Sequence, residues 1–423
     1  MQTIKTEVLI IGAGASGLFC AMTAGGRGRK VTVIDHANKA GKKILMSGGG
    51  RCNFTNYFVE PENYISHNAH FCKSALSRYS NWEFIGMVAK HQIPYHERDY
   101  GQLFCDVSSK DIVKMLLTEC EQVGVDINLH TEVVDINVID QDTTSQSPAS
   151  IALLEETDFS TKYKFAVTTQ NKDKQRLIYC ESLVIATGGL SITTMGATGL
   201  GYQIAQQFGH QLMPTTAGLV PFTFTDKLGE VFASLSGISL DVVAFNERAS
   251  FARPLLFTHR GLSGFAMLQL SNYWQQGETI HLNLMPNVQA SELLLTHKAK
   301  HPKQRIRTAL AEYFPKNLLS ALQSLLWAEV TETELANIKD ETLVKLGNTL
   351  NDWEIKPSGT EGYRTAEVTR GGVATDEVSS KTMESKRQQG LYFVGEVLDV
   401  TGWLGGYNFQ WAWASGFVCG EVV

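Results

Sequence analysis

The chain has 423 residues, 43% of them hydrophobic and 19% charged, with a formal net charge of −6. That length allows two or three domains with proper cores, and the profile is globular apart from a mild excess of glycine, 37 in all. The negative balance projects no overall positive field of the kind nucleic-acid binders carry, so the expected partner is a small-molecule substrate, with no nucleic acid and no membrane.

Seven cysteines, with no C-x-x-C pair and an odd total, suit a reduced, cytoplasmic protein better than a disulfide framework. The apolar run Val8–Ala24 is broken by Gly12, Gly14 and Gly17, and Phe409–Val423 is too short to span a bilayer. Neither predicts a membrane segment. The composition is silent on oligomeric state.

In chain order, Glu7–Ile11 reads as a buried parallel strand and Ala15–Arg27 carries helical spacing. Lys30–Ile34 is a second β-branched run, which completes a βαβ unit. After the glycine triplet of Ile44–Cys52, the run Ser108-Ser109-Lys110-Asp111 predicts a capping box opening a helix through about Gln122. Val125–Leu129 and Glu132–Val138 follow as strands. Gln141–Ser150 is polar and reads as a loop tip in a small meander that resumes at Lys164–Thr169 and Leu177–Cys180. Ser182–Thr187 is again a buried strand, closed by Gly188-Gly189.

The texture changes near Pro214. Short alternating segments predict a β-rich part over 214–286, and Leu/Ala spacing predicts a helical part over 287–350. Leu391–Val394 returns to a buried strand, followed by a glycine-rich loop and an apolar helix from about Asn408. The expected organisation is therefore a first domain in two parts, 1–213 and 351–423, interrupted by an insert at 214–350.

Gly12-x-Gly14-x-x-Gly17 lies after a strand and opens a helix through Ala15 and Ser16, with Asp35 ending the next strand. Gly12 permits a tight turn, Gly14 lets a pyrophosphate approach the backbone, and Gly17 allows strand–helix packing, while the helix start supplies amide donors. Asp35 would accept from an adenosine ribose. This fingerprint alone leaves FAD and NAD(P) open. The C-terminal return favours FAD: a strand ending at Gly395, acids Glu396 and Asp399, and glycines leading to a second helix start offer contacts for a ribityl chain and flavin beyond the pyrophosphate. Ser47, Gly48, Gly49 and Gly50 would form an anion nest, with Lys43 or Arg51 neutralising phosphate.

The stretches GKKILMSGGGRCNFTN (41–56), LVIATGG (183–189), GATGLGYQIAQQFGH (196–210), LLFTHRGLSG (255–264), TRGGV (369–373) and GEVLDVTGWLGGYNFQWAWASG (395–416) together resemble the BaiN-like, or YhiN-like, family of bacterial flavoproteins. The resemblance implies an α/β chain: a Rossmann-type FAD-binding domain of the glutathione-reductase/fumarate-reductase type, with an inserted β-barrel-like plus helical domain. It implies tightly bound FAD, NAD(P)-linked oxidoreductase activity and, as one attributed reaction, reduction of a carbon–carbon double bond conjugated to a ketone in bile-acid intermediates. By position it would place Gly12, Gly14, Gly17 and Asp35 on the adenosine half, and Lys43, Ser47, Gly49, Arg51 and Cys52 at the middle of the cofactor. Val133 would meet the adenine, Thr187 and Gly188 form an ATG turn, and Glu396, Asp399, Gly406, Tyr407 and Asn408 line the flavin end. Phe265 stands where the family pattern leads one to expect proline.

The expected reaction is hydride transfer from flavin N5 to a conjugated double bond of a small apolar substrate. His259, Arg260 and Tyr407 are the candidates to polarise a carbonyl or deliver a proton. Cys52 reads as a small packed side chain rather than a redox thiolate, because no resolving cysteine is near it in sequence. No second nucleotide fingerprint follows, since Gly196-x-x-Gly199-x-Gly201 has the wrong spacing, so NAD(P)H would visit transiently. An oxidase or dehydrogenase, and a non-catalytic redox sensor or RNA-associated protein, are the competing readings. His67-x-x-His70-x-Cys72 lacks a fourth ligand and no metal is expected. The basic run HKAKHPKQRIR (297–307) reads as a solvated face.

Overall fold

The computed structural model describes residues 2–139 and 162–423, so the expected loop tip at 141–150 lies outside the described residues. Two compact units emerge, 1–216 with 368–423, and 217–367.

The first unit is built on a five-stranded parallel sheet with the order Leu391–Phe393, Ser182–Ile185, Val8–Ile11, Val31–Ile34, Asp126–Asn128. Every residue of the four strands other than Asp126–Asn128 is buried, which is why they read as continuous apolar runs rather than alternating ones. The edge strand Leu391–Phe393 is supplied by residues some two hundred positions beyond its neighbour Ser182–Ile185. The unit also holds a four-stranded sheet (Gln2–Lys5, Lys174–Cys180, Phe165–Asn171, Glu132–Val138) and a three-stranded antiparallel sheet (Asn53–Asn56, Gln102–Cys105, Tyr95–Arg98).

The first helix, Ala15–Gly26, packs against the last, Tyr407–Gly420. Small residues set how close they come. A Cβ on Gly416 would fall 2.5 Å from the Ser16 carbonyl oxygen, and one on Gly420 would fall 2.5 Å from Thr23 Cβ. Because Gly416 faces Ser16 and Gly420 faces Cys20 and Thr23, the two helices run in the same direction. Arg27, just past the first helix, donates to the carbonyls of Gly420 and Val423 at 3.0 and 2.9 Å, a cation where the last helix ends in bare carbonyls. The polar tips of the last helix are also satisfied: Gln410 accepts from Thr55 Oγ1 and donates to the Tyr79 carbonyl, Trp411 Nε1 donates to Gly395 and Trp413 Nε1 to Phe54. Burial of two tryptophans therefore leaves no indole N–H unpaired.

The helix expected from Ser108 is found at Lys110–Gln122, but without a reciprocal capping box. Ser108 Oγ accepts from the Lys110 amide at 3.2 Å, whereas Ser109 turns its hydroxyl to the Leu45 carbonyl at 2.9 Å and ties this helix to the segment before the glycine triplet.

The second unit carries a seven-stranded antiparallel sheet with the order Trp353–Ile355, Ile280–Asn283, Ser239–Phe245, Ser250–Thr258, Gly261–Ser263, Phe222–Thr223, Gly359–Thr360. Its helices Ala290–Lys300, Lys316–Leu326 and Asp340–Asn351 share one apolar core with that sheet. Phe265 takes the first position of the helix Phe265–Ser271, a place where proline's fixed φ would serve equally well. Among the described residues no helix is long and apolar enough to cross a membrane.

Gly416→Val should drive its side chain into backbone atoms that cannot move aside. The expected result is a loss of about 1–3 kcal/mol in urea unfolding, together with poorer flavin retention.

Candidate functional site

Three glycines open the first helix, and the structure separates their reasons. A Cβ on Gly12 would lie 2.3 Å from the Ala186 carbonyl oxygen and one on Gly17 would lie 1.9 Å from that of Gly12, so close packing within the protein demands both. Gly14 has an ordinary φ of −86° and no protein atom within 4 Å of the Cβ position. Neither conformation nor packing explains it, whereas a phosphate resting on the backbone does. No side chain caps this helix. Asp35 steadies the turn, its Oδ2 accepting from the Ala13 amide and its Oδ1 from that of Ala37, both at 2.8 Å. A carboxylate keeps further acceptor sites beyond these two, so ribose hydroxyls can still be bound.

The last helix has no side-chain cap either, and it starts after Gly406 at φ +96°. Since Gly416 faces Ser16 and lies nine residues beyond Tyr407, the second helix start projects roughly 13 Å past the first at 1.5 Å per residue. Two uncapped helix starts thus stand on one flank with an offset. A dinucleotide with a phosphate at the first and an anion-forming ring at the second fits that arrangement, and FAD has both parts.

The triplet Gly48-Gly49-Gly50 has φ of 55°, 65° and 87°, three successive left-handed residues that only glycine adopts readily. A Cβ on Gly48 would strike the Phe104 ring, while Gly49 and Gly50 face open space. The loop is pinned from outside, Ser109 donating to the Gly50 carbonyl at 2.8 Å and Cys105 to that of Arg51 at 2.9 Å. Arg51 is exposed beside it. Ser47 Oγ donates to the Ile44 carbonyl.

Lys43 and Glu396 meet at 2.6 Å, with side chains 39% and 19% exposed. Lys43 Nζ also donates to Ser191 Oγ at 2.6 Å, Ser191 Oγ to Glu396 Oε1 at 3.1 Å, and the Thr369 amide to the same oxygen at 2.8 Å. Thr369 Oγ1 accepts from the amides of Leu190 and Ser191. Four segments far apart in sequence are joined here. Ser191 and Thr369 escaped the sequence reading, although TRGGV was among the stretches carrying the resemblance.

Asp399 is 4% exposed, and its Oδ2 accepts from the His67 amide at 2.9 Å and sits 3.0 Å from His67 Nδ1. The structure thus gives this carboxylate a protein partner, and uses His67 as a loop anchor. Among the described residues no three His, Cys, Asp or Glu side chains gather as metal ligands. Asn408 closes its own turn, accepting from the Gly402 amide and donating to the carbonyls of Gly402 and Trp403. Tyr407 is 7% exposed, and its carbonyl accepts from Tyr64 Oη at 3.0 Å. Gly395, with φ +75°, brings the end of its strand against Ser16 Oγ. Gly188, with φ +73°, faces open space after Thr187. Val133 pairs with Thr169 beside a bulge.

Cys52 is fully buried at φ +45°, and burial pushes its thiol far above the ordinary range, only partly offset by Ser47. That is a packed protonated thiol. His259 and Arg260 stand exposed in the second unit, in the turn between Ser250–Thr258 and Gly261–Ser263, with Arg260 3.8 Å from Glu361. The basic run also lies in the second unit, where Lys298 is held by Asp340 and the Ile338 carbonyl, and Arg305 by Glu332.

Known proteins enter at this point. A family model described as "HI0933-like protein Rossmann domain" matches residues 6–422. Two relatives named "Ribosomal RNA dihydrouridine synthase" are similar over nearly their whole length: one from Escherichia coli (strain K12) is 48% identical, covering 99% of this chain and 98% of its own, and one from Haemophilus influenzae is 49% identical, covering 98% and 97%. The "3-dehydro-bile acid delta(4,6)-reductase" of Clostridium scindens is 28% identical over 98% of each chain. Among solved structures, the 3-ketosteroid-delta4-(5alpha)-dehydrogenase of Rhodococcus jostii RHA1 shares the fold, with a TM-score of 0.51 and 12% identity over 99% of this chain and 98% of that one. The two synthases overturn the expectation of a small-molecule substrate with no nucleic acid. Net charge misled because it averages over the whole chain, while recognition depends on local surface.

Lys43→Met should remove one arm of the four-segment junction, weakening FAD retention about 10- to 100-fold in an apoprotein titration. All seven cysteines are buried, so a thiol reagent should react with the native protein only as fast as it opens, and with all seven at once in denaturant.

Proposed function

We propose, since the chain belongs to the HI0933-like Rossmann family and is an FAD-dependent oxidoreductase, that its substrate is a uracil ring in ribosomal RNA, reduced at the C5–C6 double bond. The observation that carries this reading is the near-half identity, end to end, to two relatives whose name specifies that product. The chemistry is continuous with the sequence expectation: the uracil double bond is conjugated to the C4 carbonyl, as the double bond of an enone is to its ketone. Only the carrier differs, an RNA base in place of a small apolar molecule.

FAD held here and reduced by two electrons would supply the hydride for C6, and the product requires a proton at C5. The chain's part is to hold the cofactor, orient the base and deliver that proton. Gly14 and the first helix start would hold the pyrophosphate, Asp35 the ribose, and the open glycines at 49 and 50 the middle of the cofactor. The junction of Lys43, Ser191, Thr369 and Glu396 keeps their supporting loops in register. Tyr407 opens the last helix with its ring set edge-on to Tyr64 at 6.3 Å and to Trp403 at 6.4 Å, a fixed phenol at the flavin end. We assign it the proton delivery. NAD(P)H is the proposed electron source, visiting transiently as no second nucleotide fingerprint exists in the sequence.

The test is to incubate the yellow protein with NADPH and an unmodified ribosomal RNA transcript, digest to nucleosides and look for a uridine that has gained two hydrogens. Bleaching of the flavin by NADPH without any such nucleoside would overturn the reading. Tyr407→Phe should keep its flavin and lose about 100-fold in turnover, with the rate of flavin bleaching by NADPH unchanged.

A further inference from the structure

Among the described residues of the first unit, the large apolar side chains left exposed are Met46, four valines and three aromatic rings. The rings Phe58, Trp82 and Tyr100 are 64%, 61% and 42% exposed, Phe58 and Tyr100 at the turn of the three-stranded sheet and Trp82 against Tyr57, whose amide donates to the Gly101 carbonyl. The Phe58 ring lies over the bare Cα of Gly101, where a Cβ would approach it to 2.6 Å. Trp82 stacks on Tyr57 at 5.5 Å between centroids and 29° between planes. Tyr100 sits at φ +65°, a left-handed conformation that a bulky residue holds only where its surroundings impose it.

The surroundings are two buried asparagines. Asn56, 1% exposed, donates to the carbonyls of Tyr100 at 3.1 Å and Gly405 at 2.9 Å, and accepts from the Phe58 amide at 2.9 Å. Asn81, 5% exposed, donates to the carbonyls of Asn56 and Tyr57 and so fixes the helix start from which Trp82 projects. One buried amide therefore connects the exposed rings to the glycine loop that begins the last helix. This is rigid support for side chains that contribute little to the core.

We propose that Phe58, Trp82 and Tyr100 form a stacking surface for unpaired RNA bases next to the uridine being reduced, an inference that rests on the RNA reading above. Flat rings held in water by satisfied backbone contacts suit the faces of bases, every one of which can stack. Arg98, on the strand entering the turn, holds its guanidinium 4.3 Å over the Phe104 ring and offers a phosphate contact. Glu97 and Asp99 flank it, so the local charge is mixed and ring stacking carries the affinity.

The experiment uses full-length, FAD-loaded protein and a fluorescent, unstructured, uridine-rich single-stranded RNA, with binding read by anisotropy at several salt concentrations. Phe58→Ala, Trp82→Ala and Tyr100→Ala should each weaken binding roughly 5- to 100-fold, leaving flavin content, bleaching by NADPH and the slope of affinity against salt unchanged. Trp82→Phe and Phe58→Tyr, which keep a ring, should restore most of the affinity. Unaltered RNA binding in the triple alanine variant, loss of flavin together with RNA affinity even in the ring-keeping variants, or loss of self-association with RNA affinity intact would overturn the surface. Wild type that binds the RNA through these rings yet reduces no uridine would instead overturn the reaction and leave the surface standing; wild type that binds no RNA would overturn both.

Discussion

The approach of the first and last helices at Gly416 and Gly420 is the contact on which the cofactor cradle depends. Side chains at those positions would hold the helices apart, and the two uncapped starts would lose their common flank. Both ends of the crossing are then secured by other means, with Ser16 against Gly395 at the start and Arg27 on the final carbonyls at the close. The strand Leu391–Phe393 that precedes the last helix also completes the parallel sheet.

Much of this was legible because its causes are local. A strand, a glycine turn and a helix start are written within a dozen residues, and the turn expected at Gly12 and the close packing expected at Gly17 are both found. The triplet at 48–50 was readable too, since three glycines announce a backbone path closed to other residues. What remained hidden is pairing at a distance. Nothing near Lys43 indicates that its partners are Ser191 and Glu396, and nothing near Asp399 indicates His67, because Ser191 is distant in sequence and Glu396 and Asp399 arrive only when the chain folds back after the second unit. The hydrogen bonds by which Asn408 closes its own turn were likewise not visible in the sequence.

The misjudged partner has a related cause. Net charge says whether a whole molecule is drawn towards a polyanion. It is blind to a few exposed rings, and rings recognise bases through their faces whatever the sign of the surrounding field. The expected chemistry and the proposed one still coincide at the bond being reduced, because a conjugated double bond asks the same of a reductase whether it lies in a steroid ring or a pyrimidine: a hydride on one carbon, a proton on its neighbour, and an environment that tolerates the transient charge on oxygen.

The interruption of the first unit by Ala217–Glu367 also bears on how the protein is made. During synthesis the first helix leaves the ribosome long before the helix that must cover its Ser16–Thr23 flank, and the parallel sheet waits for its edge strand through the whole of the second unit. In that interval the nascent chain presents an apolar flank and an open sheet edge, and it has no second helix start for a flavin. A chain released early would lack that second helix start and would expose, on its uncovered flank, the kind of surface that chaperones and proteases recognise.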